Sequence, residues 1–92
     1  MNTTQPTAAA RITEARAKLA AKLESRTTDQ LMVTLVQLYA MPESRESVII
    51  ASYASEIVAR REGVEDLMWE MDGDNYLDCL LLALAARDAV AA

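Results

Sequence analysis

The sequence contains no His and no Phe, only one Cys and one Trp, and two each of Gly, Pro and Lys. Without His there is no imidazole to act as general base, so Ser-His and Cys-His nucleophilic pairs are excluded. The lone Cys79 cannot form an intramolecular disulfide, and it lies inside an apolar run with no neighbouring base to activate its thiol, so it reads as a small core residue. The longest stretch free of polar and charged residues is Cys79 to Ala86, eight residues. That is far short of the roughly 18 to 20 needed to cross a bilayer, and no signal peptide is recognised, so the expected location is cytoplasmic.

The scarcity of Gly and Pro turns the reading toward helix. Ala supplies 17 of the 92 residues, and Ala loses no side-chain entropy in a helix, whereas Gly and Pro cost most there. The expected fold is all-α: a compact bundle of four to five short helices. Ninety-two residues suffice for one domain, yet a chain this short buries only about 60 to 65 % of its unfolded surface, so completion by homodimerisation is expected.

The charge is uneven. The net value of −5 divides at Pro42 into five bases and three acids before it, and four bases and eleven acids after it. An acidic second half repels phosphates and disfavours direct nucleic-acid binding, despite the basic flank of Arg11, Arg16, Lys18, Lys22 and Arg26 and the Ser44, Arg45, Ser47 cluster at a helix start. It suits a basic partner.

Residues 1–7 read as a disordered N-terminus ending in a helix cap, and residues 8–92 as a single helical domain. Thr7 offers a cap, and Ala8, Ile12, Ala15, Leu19 and Leu23 recur at helical spacing, predicting a first helix from Ala8 to about Ser25. Thr27 with Gln30 has the capping-box pattern for a second helix, from near Thr28 to near Met41. So much of that helix is apolar that it should be covered on most sides. A third helix should start near Glu43 and bury Val48, Ile49, Ile50, Tyr53, Ala54, Ile57 and Val58 before ending at Arg61, with Gly63 as the left-handed residue beyond its end. A fourth, Val64 to Met71, should bury Val64, Leu67, Met68 and Met71. Asp74 should cap a fifth, from Asn75 to about Val90, with Leu77, Leu80, Leu81 and Leu84 as its core stripe.

The stretch EDLMWEMDGDNYLD, residues 65 to 78, concentrates acids around the only Trp. Asp72, Asp74 and Asp78 fall at positions 1, 3 and 7 of a calcium loop. Positions 5, 6 and 12 hold Tyr76, Leu77 and Ala83, where oxygen, Gly and Glu are required, so no EF-hand is formed. Glu43 with Glu46 and Glu62 with Glu65 resemble the paired acidic motifs of all-α nucleotide pyrophosphatases of the MazG type. The closing Asp is missing, and the two pairs stand at opposite ends of one predicted helix, about 24 Å apart and beyond the ~4 Å of a metal pair. No catalytic residue, cofactor or metal is therefore assigned, no small-molecule substrate or membrane is expected, and the chain is not read as an enzyme.

What the stretch offers is a binding surface. At helical spacing Trp69 lies on the flank of the fourth helix beside acids, the composition of an interface anchor. The expected partner-binding residues are Glu62, Glu65, Asp66, Trp69, Glu70, Asp72, Asp74 and Asp78, docking on a protein with a basic surface as an adaptor or inhibitor would. Two other readings use the same residues. In one, the chain is a structural or regulatory homodimer whose acids only keep it soluble. In the other, the acids imitate phosphates in an inhibitor of a nucleic-acid-binding protein from a phage or plasmid.

Overall fold

Short polar side chains start four of the five helices. In the computed structural model, which describes residues 7–91, the Thr7 hydroxyl accepts from the Ala10 N–H at 3.1 Å and opens α1, Ala8–Glu24. Thr27 and Gln30 form the expected reciprocal capping box for α2, Thr28–Ala40, at 3.1 and 2.9 Å. Ser44 and Ser47 make a second reciprocal pair that starts α3, Arg45–Arg61. A short α4, Glu65–Glu70, follows with no side-chain cap. At α5, Tyr76–Ala91, the expected cap Asp74 is corrected to Asn75, whose Oδ1 accepts from the Asp78 N–H at 2.9 Å. Asn75 stands three residues before that N–H, the separation at which a side-chain oxygen reaches the N3 donor of a helix.

The fold is all-α, five helices without a strand among the described residues. Helix α3 is the hub, touching α1, α2, α4 and α5. Its small residues Ala51, Ala54, Ser55 and Ala59 are buried, which lets neighbouring helices approach from several sides. Leu23, Leu31, Leu35, Val64, Met68 and Leu80 converge on Ile57 and Val58 to make the core. Buried Ser55 is satisfied by donating to the Ser52 carbonyl at 3.1 Å.

The α3–α4 connection is a complete Schellman ending. Gly63 has φ +70° as expected, its N–H reaches the Arg60 carbonyl at 3.2 Å, and the Val64 N–H reaches the Ala59 carbonyl at 2.8 Å. Val64 is buried just beyond, so one motif ends α3 and drives the next segment into the core.

Several expected core residues are exposed. Val33 and Val36 are more than half exposed, so α2, packed mainly against α3, leaves one face uncovered. Ile49, at 37 % exposure, lies at the edge of the α3 arc, and Leu81 faces outward beside Leu82 on α5. Ile12 is exposed because residues 8–18 of α1 extend past the other helices, and the apolar contact of α1 with the core is made by Leu19 and Leu23. The remaining expected core residues of α4 and α5 (Val64, Leu67, Met68, Met71, Leu77, Leu80 and Leu84) pack in or against the core. Residues 1–6 of the expected N-terminal segment lie outside the described residues.

Candidate functional site

The C-terminal end of α2, the start of α3, α4 and the first turn of α5 enclose a cleft of about 350 Å³. Trp69 forms one wall, 58 % exposed, with its ring perpendicular to that of Tyr76 and the centroids 6.5 Å apart. Edge-to-face packing of this kind is a favoured geometry for an aromatic pair. Tyr39, from the last turn of α2, provides a third aromatic surface. Met68 and Met71 from the α4 side and Val48 from α3 complete the apolar lining. A second cleft of about 240 Å³ shares Tyr39, Glu43, Val48, Asp74 and Asn75 with the first and extends to Leu38 and Met41. The two are lobes of one slot.

The α4–α5 turn is held close to the slot by Gly73. A methyl group at that position would lie 2.8 Å from the Cys79 backbone nitrogen and 3.0 Å from the Cys79 Sγ. Cys79, expected as core filler, is half-buried and lines the slot, with its thiol donating to the Met71 carbonyl at 3.5 Å. The turn therefore folds against the start of α5 by a side-chain-to-backbone tie on one side and a missing Cβ on the other.

Electrostatically the slot is one-signed. Glu43 and Asp74 line both lobes, and among the described residues no Lys or Arg does. The phenol of Tyr39 has its pKa raised above the ordinary 10.0, first by burial, against a lowering hydrogen bond from the Tyr76 backbone, with the negative charges of Glu43 and Asp78 also raising it. An anion placed here would meet the same burial, and the same negative charges, that disfavour the phenolate.

The partner-binding acids expected from the sequence divide into three groups. Glu62 caps the end of α3 and pairs with Arg87 at 3.2 Å, tying α5 to the α3 terminus. Glu65, Asp66 and Glu70 are on α4 outside the slot lining. Asp72, Asp74 and Asp78 gather with Leu81 and Leu82 around a shallower depression, and of these Asp74 also faces the slot. Apart from Glu62, none of the seven acids forms an ion pair among the described residues.

Tyr39, Glu43 and Tyr76 were not among the residues expected to bind. Tyr39 reads from the sequence as one more apolar position of α2, and nothing local indicates that the end of α2 returns beside α4. No three Cys, Asp or Glu side chains are placed to hold a metal ion among the described residues. Helix α3 runs unbroken, leaving Glu46 and Glu62 at its two ends. No described helix is long and apolar enough to cross a membrane.

Comparison with known protein families, curated proteins and solved structures finds no match. The functional reading rests on the geometry of this chain alone.

Proposed function

We propose that the protein is an acidic protein-binding module that docks on a basic partner through α4, the α4–α5 turn and the first turn of α5. The observation that carries this reading is Trp69, more than half exposed at the wall of an apolar cleft, with carboxylates around it that have no ion-pair partner among the described residues. An exposed Trp is costly to hydrate and gains most from being covered, while unpaired acids around it steer a positive surface onto the patch. A charge-reversed variant, D66K/E70K/D74K, tests it. The tagged wild-type chain should capture a basic protein from lysate of its own host at low salt and lose it as salt rises, and the variant should fail to capture it. Capture indifferent to both salt and the reversal would sink the reading.

A homodimer is the second reading, supported by Val33 and Val36 on the uncovered face of α2. They lie three residues apart and share one side of the helix.

A further inference from the structure

We propose that the slot between Tyr39, Trp69 and Tyr76 receives one arginine side chain of the partner, with Glu43 and Asp74 as its counter-charges. The inference deepens the docking reading above and rests on it.

Volume limits the occupant first. The lobes, about 350 and 240 Å³, are each at or below the lower end of ligand clefts, and the larger has room for one long side chain. The lining then separates into two chemistries that match the two parts of arginine. Val48, Met68 and Met71 suit a methylene stem, which long cationic side chains bury while the charged head remains among polar groups. The perpendicular Trp69 and Tyr76 rings form a corner in which a flat guanidinium stacks on one face while its edge approaches the other. Glu43 and Asp74 line both lobes and supply acceptors for the guanidinium N–H groups.

Other occupants fit less well. A neutral apolar group would cover Glu43 and Asp74 without a counter-charge, and burying an unpaired carboxylate is strongly unfavourable. An anion would meet carboxylates with no base in the lining. Lysine carries the right sign, but its compact, strongly hydrated ammonium gives up more solvation and has no planar face to stack. Arginine uses the aromatic corner, the apolar floor and both acids together.

Trp69 is the only Trp in the chain, so its indole resonance and fluorescence report on the slot directly. The probe is a blocked glycine-flanked peptide with a single Arg, compared with the same peptide carrying Lys or citrulline, the neutral isostere of Arg. The Arg peptide should shift the Trp69 indole N–H saturably, the Lys peptide should bind several-fold more weakly, and the citrulline peptide should not bind. In E43Q/D74N the Arg affinity should fall by about tenfold or more, as expected when charge-assisted contacts lose their charge. Glu43 and Asp74 are exposed and make no ion pair among the described residues, so this variant should melt like the wild type. Equal shifts from Arg and citrulline, no shift from Arg, or unchanged affinity in E43Q/D74N would each overturn the slot. Failure there, together with partner capture that D66K/E70K abolishes, would leave the docking surface standing without its arginine site. Normal Arg titration with capture indifferent to the acids would leave the slot standing and remove the docking surface.

Discussion

The two glycines sit in the chain for different reasons, and substitution separates them. Gly63 has φ +70° with open space around its missing Cβ, so G63A pays only for the left-handed backbone, about 1 to 2 kcal/mol. Gly73 has no positive φ but lies against the backbone and thiol of Cys79. G73A therefore has to displace the first turn of α5, at about 1 to 3 kcal/mol by analogy with overpacking. Denaturant unfolding gives both losses. Only G73A should also change the Trp69 emission spectrum, because only Gly73 lines the slot. Tyr39 yields a second expectation. Its folded pKa is raised above the ordinary 10.0, so its contribution to stability is fully present below that value and is lost as pH rises through the folded pKa. Stability should fall on alkaline titration above pH 10, less steeply in Y39F, and absorbance at the phenolate band should show one of the three Tyr ionising late.

At the level of elements, the junction between α1 and α2 is held by a side chain from α3. Arg61 donates to the Glu24 carbonyl at 2.8 Å and the Arg26 carbonyl at 2.9 Å, while neighbouring Arg60 pairs with the Glu24 carboxylate. The sequence shows Arg60 and Arg61 as cations suited to the C-terminus of their own helix, but their observed partners lie on α1 and the turn after it. Carbonyls at a helix end have no partner within that helix, and Arg61 supplies one across space. R61A should cost about 1 kcal/mol, a typical net value for hydrogen bonds at a partly exposed site, and amide exchange should accelerate first in the last turn of α1. Loss confined to α3 would contradict this account. The caps at Thr7 and Thr27 and the Gly63 ending were legible because capping chemistry is local. Asp74 was expected where Asn75 serves because both are good caps in adjacent positions, and the helix starts one residue later, at Tyr76.

For the whole molecule, the question is what covers the apolar surface that the five helices leave open. If the outer face of α2 is a self-association surface, light scattering at micromolar concentration should give twice the 10.1 kDa chain mass, and V33E/V36E should return it to the monomer. A monomeric wild type would remove that reading. The sequence by itself determined the all-α class, a count of four to five helices, their ends to within a residue or two and the acidic bias of the second half. Those properties follow from composition, caps and spacing, which act over a few residues. Tertiary structure decided which apolar residues are inside. Val33, Val36, Leu81 and Ile12 have the same chemistry as their buried neighbours, and a helix with apolar residues on several faces does not specify which face its partner will occupy. It also decided the slot, whose Tyr39 and Trp69 are thirty residues apart in the chain. They meet only because α3 packs against both α2 and α4.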